Sequence, residues 1–361
     1  MVDTAPVIGL VGPVPPPNGG MAMQTLQLAR LLQEEGVRVE LEPTNAPYHP
    51  QWLARVRGVR ALCRLFPYLY RIWRLAGRVP VIHLMANSGW SWQLFAAPVV
   101  WIGALRGTPV IVNYRGGEAR SYLEQSRRYI APTLNRAARL VVPSGFLRDV
   151  FRDFGFGAEI VPNIVDFDTF SPAVDPSPED AFCLVITRNL EAIYGLDTAI
   201  RAMTIVARRH PHVCLKIAGS GPLEQELKAL VTQLGLDGRV TFLGRLERPE
   251  VVRLYRSASG MLNPSRVDNM PNSILEALAC ELPVVSTDVG GVPYIVEDGV
   301  TALLVPPDDP EAMAQAVCAL VEDPALCRSL AKAGCASVQQ YSWQAVGAQW
   351  LKLYQSLTVA A

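Results

Sequence analysis

The chain has 361 residues, half of them apolar, and this length is better divided between two domains than gathered around one core. Lys and Arg together number 33, as do Asp and Glu, so the formal net charge is zero. That balance argues against a nucleic-acid-binding protein and against an acidic tail.

The charge is divided unevenly along the chain. Residues 1–165 contain 18 arginines, no lysine and 10 acidic residues, a net charge of +8 that leaves −8 for the remainder. No Asp or Glu occurs between Glu42 and Glu118. This interval contains a stretch rich in arginine and aromatic residues: Trp52, Arg55, Arg57, Arg60, Arg64, Phe66, Tyr68, Tyr70, Arg71, Trp73, Arg74 and Arg78. The stretch suits an anionic membrane surface, or equally a solvated helix face with buried aromatic residues.

The sequence shows no signal for export or for membrane insertion. Its start, MVDTAPVIGLVG, lacks the basic region of a signal peptide, and the longest apolar run, residues 94–105, is too short to span a bilayer. Seven cysteines without a CxxC pair predict neither a disulfide framework nor a zinc site. We therefore expect a cytoplasmic protein whose contact with the inner face of a membrane, if any, is peripheral.

Short β-rich runs alternate with helical stretches through the first half of the chain. The runs are VIGLVG, VRVELE, VPVIHLM, PVIVNY, RLVVPS and EIVPN, and helices are expected near residues 24–35, 92–105 and 147–154. This alternation predicts a parallel sheet covered by helices on both faces. Residues 1–165 are therefore predicted to form a Rossmann-like N-terminal domain.

A linker and a second domain are predicted to follow. Proline and acidic residues cluster in DFDTFSPAVDPSPED, residues 166–180, which is typical of an interdomain linker. The alternation of β-rich runs and helical stretches begins again, with the runs FCLVITR, VCLKIAG, VTFLG, GMLNPS, PVVST and ALLVPP. Residues 181–341 are therefore assigned to a second Rossmann-like domain. Residues 342–361 are amphipathic and predict a C-terminal helix. The fold class is α/β, with two tandem doubly wound domains and a ligand site expected in a cleft between them, beyond the carboxyl ends of the strands.

The stretch SRVDNMPNSILEA, residues 265–277, sets two acidic residues around a helix start. Pro271 suits the first helical position because its missing N–H costs nothing there. Free N–H groups at a helix start bind phosphate or sugar hydroxyls, and Glu276, more than one turn in, can accept two hydrogen bonds from a diol. The alternative is an acidic helix start, with Asp268 favoured by the helix dipole and Glu276 as an ordinary surface residue.

Residues 264–317, PSRVDNMPNSILEALACELPVVSTDVGGVPYIVEDGVTALLVPPDDPEAMAQAV, resemble the C-terminal signature of the family-four retaining nucleotide-sugar glycosyltransferases, which have the GT-B fold. The family's Glu-x7-Glu motif stands here as Asp-x7-Glu. The resemblance also implies that the C-terminal helix, residues 342–361, crosses back onto the N-terminal domain. The resemblance extends over nearly the whole chain, through PPPNGGMAMQTLQLARLLQEEGVRV, VPSGFLRDVFRDFGF, TRNLEAIYGLDTAIRAM, AGSGPLEQEL and VTFLGRLERPEVVRLYRSASGMLNPS.

The resemblance implies a role for each matching position. Asp268 would lie against the donor sugar, Glu276 would hold the ribose, and Arg188 would neutralise the donor diphosphate through charge-assisted bonds. The other predicted donor contacts are Gly19 and Gly20, which let the backbone approach the ligand, Gly219 beside the nucleotide, Arg245 and Leu246 at the base, and the backbone of Asn269, Met270, Pro271 and Asn272 at the sugar.

The chain departs from the family pattern at three positions. Asp268 replaces a glutamate and is one methylene shorter. Tyr194 stands where the family has a lysine before a glycine, so one phosphate charge must come from elsewhere. Arg115, in NYRGGE, replaces a histidine and, being always charged, cannot act as a general base. The family's mechanism is thought to need no protein base, and we expect Arg115 to stabilise the leaving phosphate as a catalytic residue with Asp268, Glu276 and Arg188.

The implied function is transfer of a hexose-type sugar, with retention, from a nucleoside-diphosphate sugar to a hydroxyl of a glycan or lipid-linked acceptor bound by the N-terminal domain, in cell-surface polysaccharide or glycoconjugate synthesis. No cofactor or metal is expected. His83 is expected in the core, or less readily as an acceptor contact. Two alternatives remain open: a non-catalytic GT-B protein that binds sugar nucleotides or scaffolds a partner, and a GT-B sugar-nucleotide epimerase. A dehydrogenase is excluded because no GxGxxG follows the first strand.

Overall fold

The computed structural model describes residues 7–16, 19–46, 59–173 and 182–358, with side chains from residue 64 onward in the helix that begins at Val59. The chain divides into two compact units. Unit 1 comprises Met1–Ile164 and Trp343–Ala361, and unit 2 comprises Val165–Ser342. Among the described residues, no helix combines the length and apolarity needed to cross a bilayer.

Unit 1 is built on a six-stranded sheet of order β2-β1-β3-β4-β5-β6, in which every pairing is parallel. Its strands are β1 Val7–Gly12, β2 Arg38–Pro43, β3 Ile82–Ala86, β4 Val110–Tyr114, β5 Arg139–Val142 and β6 Glu159–Ile160. Its helices are α1 Gly20–Glu34, α2 Val59–Ala76, α3 Gly89–Ser91, a π-helix Trp92–Ala96, α4 Ala97–Arg106, α5 Ala119–Leu134, α6 Gly145–Asp153 and α13 Trp343–Thr358.

Helices cover both faces of this sheet. Successive residues of a strand point to opposite sides, so Val11, Ile82 and Val112 pack in one core with α2, α4, α5 and α6. Ile8 and Leu10 point the other way and pack with α1 and α13. The expected sheet covered on both faces is confirmed.

Helix α13 brings its aromatic residues into the core of unit 1. Val346, Trp350 and Tyr354, spaced four residues apart, are buried with residues of β1, β3 and β4. The Tyr354 hydroxyl is 2.7 Å from Nδ1 of His83, and the rings of His83 and Trp350 lie 4.4 Å apart. Burial, together with Arg115, lowers the pKa of His83 to about 3. His83 is therefore a neutral core histidine.

Unit 2 repeats the architecture with strand order β12-β11-β10-β7-β8-β9, again entirely parallel. Its strands are β7 Cys183–Thr187, β8 Cys214–Ala218, β9 Val240–Gly244, β10 Gly260–Asn263, β11 Val284–Thr287 and β12 Leu303–Val305. Its α-helices are α7 Leu196–Arg209, α8 Glu224–Gln233, α9 Arg248–Ser257, α10 Asn272–Ala279, α11 Pro310–Glu322 and α12 Pro324–Ser337; 3-10 helices span Ala192–Tyr194, Val292–Tyr294 and Val338–Tyr341.

The described part of the predicted linker packs within unit 2. Phe170 is 1% exposed and lies in a core with residues of α9 and α10. Asp166 forms an ion pair of 3.0 Å with Arg248, and the N–H of Val165 donates to the carbonyl oxygen of Tyr341. Residues 165–173 are thus integrated into the second unit; residues 174–180 lie outside the described ranges.

The arginine- and aromatic-rich stretch is described from residue 64 onward, so Trp52, Arg55, Arg57 and the side chain of Arg60 lie outside the described part. Phe66, Tyr70 and Trp73 form an exposed stripe along α2, with 67%, 62% and 44% exposure. Tyr68 is buried, and its hydroxyl donates to the carbonyl oxygen of Phe95 at 2.7 Å. Tyr68 thus fits the expected helix face with buried aromatic residues, while its neighbours Phe66 and Tyr70 are exposed, because two residues advance a helix by about 200°.

Several arginines of this stretch are already engaged within unit 1. Arg71 and Arg78 form ion pairs with Glu42 and Glu40 of β2, at 2.5 and 2.9 Å. Arg64 donates to the carbonyl oxygen of Thr44. The exposed aromatic side chains, rather than these paired arginines, therefore distinguish this surface of unit 1.

Candidate functional site

Two charged side chains meet at the carboxyl edge of the sheet of unit 2. Arg188 follows β7, Asp268 follows β10, and these strands are neighbours. Nη2 of Arg188 donates to Oδ2 of Asp268, while its Nε and Nη2 donate to Oδ1 of Asn263 at 3.0 and 2.8 Å. The two charged side chains are 12% and 11% exposed, so their attraction is little screened by water.

Asn263 is a residue that the sequence analysis missed. It ends the buried strand β10, and its side-chain nitrogen donates to Ser286 while its oxygen accepts from Arg188. Both ends of the amide are therefore fixed, which fixes the plane of the guanidinium in turn. A polar residue that ends an otherwise apolar strand was the available signal.

Asp268 is held from two sides. Burial raises its pKa, and the Arg188 guanidinium and the hydrogen bonds from Ser265 and Asn269 oppose that rise. The backbone N–H of Asn269 donates to Oδ1 at 3.1 Å. An anionic ligand that bound Arg188 would therefore compete with Asp268 for the guanidinium.

Glu276 lies in the second turn of α10 and is half-buried. Burial raises its pKa to about 7, although Arg248 and Arg188 oppose the rise. Within the described ranges no hydrogen bond from another residue ends on its carboxylate. A desolvated carboxylate with open acceptor positions is suited to a ligand that donates two hydrogen bonds, such as a diol.

The start of α10 differs by one residue from the prediction. The helix begins at Asn272, and Pro271 is its N-cap, with extended backbone angles of φ −66° and ψ 114°. The carbonyl oxygen of Pro271 accepts from the N–H groups of Ile274 and Leu275, which is the role of a capping residue. Pro271 is therefore not the first helical residue.

The loop before α10 and the helix start are closely packed. Asn269 and Met270 are 7% and 6% exposed, and a Cβ at Gly291 would collide with the carbonyl oxygen of Asn269. Ser273, which the sequence analysis did not single out, is 7% exposed, and its hydroxyl has no hydrogen-bond partner among the described residues. Its position one turn before Glu276 makes it a further candidate for a ligand contact.

The remaining predicted residues of unit 2 lie near other strand ends. Gly219 follows β8 and supports the main chain of Arg188, since a Cβ there would collide with the carbonyl oxygen of Arg188. Arg245 and Leu246 follow the edge strand β9, two strands from β7. Arg245 is exposed, and Leu246 packs partly against the core.

The other predicted residues lie in unit 1. Gly19 is the N-cap of α1 and Gly20 is its first residue. No atom lies within 4 Å of a Cβ built at Gly19, so packing within the fold does not demand glycine there. Arg115 follows β4 and donates to the side-chain oxygens of Asn113 and Asn163. Burial lowers its pKa to about 10, which leaves it charged at neutral pH.

Three potential metal ligands, two of them on α11, come together on unit 2. The ligand atoms of His210, Cys318 and Glu322 lie within 4.8 Å of one another. The Glu322 carboxylate already accepts from Arg209 and is 2.7 Å from Nε2 of His210. His210 precedes β8, so the group lies at the amino edge of the sheet, opposite to Arg188. An ion-pair network accounts for these contacts.

Two family models match most of the chain between them. Residues 18–169 match the family model described as Glycosyltransferase Family 4, and residues 181–323 match that of Glycosyl transferases group 1. A D-inositol 3-phosphate glycosyltransferase from Corynebacterium jeikeium is 31% identical over 303 residues, which cover 77% of this chain and 71% of that protein. The chain spans about half the length of several other curated relatives of the same description.

Solved structures share the fold over almost the full chain. Sucrose-phosphate synthase from Thermosynechococcus elongatus aligns with a TM-score of 0.80 at 22% identity, covering 99% of this chain and all of that one. The Anabaena protein HepE, in complex with UDP, aligns with a TM-score of 0.75 at 19% identity, covering 97% of this chain and all of that one.

The fold and the matched models define the two-domain α/β class of GT-B glycosyltransferases, as the sequence predicted. Within that class, the chain belongs to glycosyltransferase family 4.

Proposed function

We propose that the protein is a retaining glycosyltransferase that moves a hexose-type sugar from a nucleoside-diphosphate sugar to a hydroxyl of a glycan or lipid-linked acceptor. The observation that carries the proposal is the oriented Arg188 guanidinium beside Asp268. Asp268 precedes α10, and the half-buried Glu276 lies in the second turn of that helix. Membership of family 4 supports the transfer reaction, and the UDP bound to HepE supports a nucleotide donor.

Each of the three charged residues at the candidate site of unit 2 is proposed to bind one part of the donor. Arg188 binds the diphosphate, because a guanidinium pairs with phosphate oxygens through charge-assisted hydrogen bonds. Glu276, which is ionised above about pH 7, accepts the hydrogen bonds of the ribose diol. Asp268 faces the sugar once the diphosphate has replaced it on Arg188. Gly219, Arg245 and Leu246 border the nucleotide, and the backbone from Asn269 to Asn272 contacts the sugar hydroxyls.

The proposed chemistry needs no protein base. The bond between the anomeric carbon and the leaving phosphate oxygen breaks, and a bond from the acceptor oxygen to the same face of that carbon forms. The acceptor proton passes to the departing phosphate. Arg115 stabilises the negative charge that develops on the phosphate, and Gly19 and Gly20 allow close backbone approach at the start of α1. The reaction is proposed to be metal-independent, so an excess of EDTA should leave the rate unchanged.

A non-catalytic sugar-nucleotide-binding protein is the alternative from a different class. The replacement of the family lysine by Tyr194 and of the family histidine by Arg115 motivates it. Hydrolysis of a panel of UDP-, GDP-, ADP- and dTDP-hexoses without acceptor separates the two. Slow release of free nucleotide from one donor, absent from an Arg188→Ala variant, is expected of the enzyme. No release from any donor would support the non-catalytic protein, and interconversion of two sugar nucleotides would indicate an epimerase.

We further propose that the acceptor is reached at the inner face of a membrane, to which unit 1 binds peripherally. The exposed stripe of Phe66, Tyr70 and Trp73 on α2 supports this, because aromatic side chains bury favourably at the headgroup level. The Arg106 guanidinium, 4.8 Å from the ring centre of Trp73, adds positive charge beside the stripe.

Sedimentation with lipid vesicles tests the membrane proposal. Replacement of Phe66, Tyr70 and Trp73 together by serine should abolish binding to vesicles that contain phosphatidylglycerol. A Tyr294→Ser variant in unit 2, where the tyrosine is 50% exposed, is the matched control and should bind normally. Equal binding of the triple variant and the wild type would contradict the proposal.

A further inference from the structure

The Arg188 guanidinium is fixed on one edge and covered on one face. Asn263 and Asp268 accept from Nε and Nη2, and the ring of Tyr194 lies 5.0 Å from the central carbon of the guanidinium. Among the described residues Nη1 of Arg188 donates no hydrogen bond. The guanidinium is therefore fixed in place, and its Nη1 can still donate to a ligand.

Tyr194 is itself held by the loop that carries Asp268. It ends the 3-10 helix Ala192–Tyr194, and the N–H of Arg266 donates to the carbonyl oxygen of Ile193 at 2.8 Å. The Arg266 side chain donates to the carbonyl oxygen of Ala192 and to both oxygens of Asp197, at 2.9 Å each. These bonds join the 3-10 helix of Tyr194 to the loop that carries Asp268, the ion-pair partner of Arg188.

The next residue allows this close approach. Gly195 has φ +57°, a conformation that favours glycine, and a Cβ there would collide with the carbonyl oxygen of Pro264. The 3-10 helix can therefore lie directly on the loop after β10. This packing holds the main chain of Tyr194 against the loop that carries Asp268.

A ring in this position acts on the cation without adding charge. The face of an aromatic ring attracts a guanidinium through its quadrupole, and the attraction grows when the pair is shielded from water. The ring also restricts rotation of a long side chain, so less conformational entropy is lost when a ligand binds. A lysine at position 194 would supply charge but no such surface.

We propose that Tyr194 is a positioning residue for Arg188, which it preorients to bind the diphosphate of the donor. The inference rests on the proposed donor site, and it explains how the chain does without the family lysine. The phenol ring stabilises the guanidinium geometry, and phosphate oxygens meet a single oriented cation on unit 2 where the family pattern has two.

Calorimetric binding of the tightest of UDP, GDP, ADP and dTDP tests the inference. Tyr194→Phe retains the ring and should bind within about twofold of the wild type, whereas Tyr194→Leu should bind about tenfold more weakly. Tyr129→Leu, at an exposed tyrosine in unit 1, is the matched control and should bind normally. Thermal unfolding of each variant shows whether the fold is intact.

A double-mutant cycle with Arg188→Ala separates positioning from a general structural role. In the Arg188→Ala background, Tyr194→Leu should cause no further loss of affinity. A tenfold loss in both backgrounds, or a Tyr194→Leu variant that binds as tightly as the wild type, would overturn the inference. If Arg188→Ala alone left the affinity unchanged, the proposed donor site itself would fail.

Discussion

Replacement of Glu276 by glutamine should separate the stability of unit 2 from its ability to bind a ligand. The pKa of Glu276 is raised from 4.5 to about 7 by burial. A rise of this size corresponds to roughly 3 kcal/mol between the protonated and ionised forms. Because the folded pKa is raised, the stabilising contribution of the protonated carboxyl is fully present below about pH 4.5 and is lost as pH rises through about 7.

Glutamine resembles the protonated carboxyl and does not ionise, so the variant should lack this loss. We expect equal stabilities near pH 4.5 and a variant that is more stable by up to roughly 3 kcal/mol at pH 8. Urea unfolding of the ligand-free proteins at pH 4.5, 6, 7 and 8 measures the difference. The variant should nevertheless bind a nucleoside diphosphate more weakly, since an amide offers one acceptor oxygen where the carboxylate offers two. Parallel stability profiles, or a variant less stable than the wild type at pH 8, would refute the reasoning.

Three further predictions concern other polar side chains in the two units. Arg188→Ala should weaken nucleoside-diphosphate binding in calorimetry by at least tenfold, and Arg188→Lys should restore only part of it, because lysine lacks the planar fork. Arg115→Ala should lower the transfer rate by about a hundredfold; unchanged turnover and donor binding would remove Arg115 from the mechanism. His83→Gln should flatten the loss of stability in urea as pH falls from 6.5 towards 3, because the depressed pKa of His83 makes protonation favour the unfolded chain.

The sequence predicted those parts of the molecule that depend on local pattern. The alternation of strands and helices predicted both parallel sheets. The family resemblance singled out Arg188 and Asp268, and the structure brings these two side chains together at one sheet edge. The start of α10 was misplaced by one residue, because the general preference of proline for the first helical position does not hold here and Pro271 keeps an extended backbone.

Features that depend on contacts distant in the chain could not be predicted. Tyr194 was visible only as a departure from the family pattern, since its contact with Arg188 depends on the close packing of Gly195 against Pro264, 69 positions further along the chain. Likewise, Asn263 orients Arg188 across 75 positions of sequence. The burial of Tyr68 beside exposed neighbours required knowledge of which face of α2 meets the core.

The central claim is that unit 2 binds an activated sugar through Arg188 and Glu276. Isothermal titration of the wild type and of the Arg188→Ala and Glu276→Gln variants with UDP-, GDP-, ADP- and dTDP-glucose tests it most directly. We predict saturable binding of at least one sugar nucleotide by the wild type and a loss of at least tenfold in affinity in both variants. Absence of binding with every donor, or equal affinity of all three proteins, would contradict the claim.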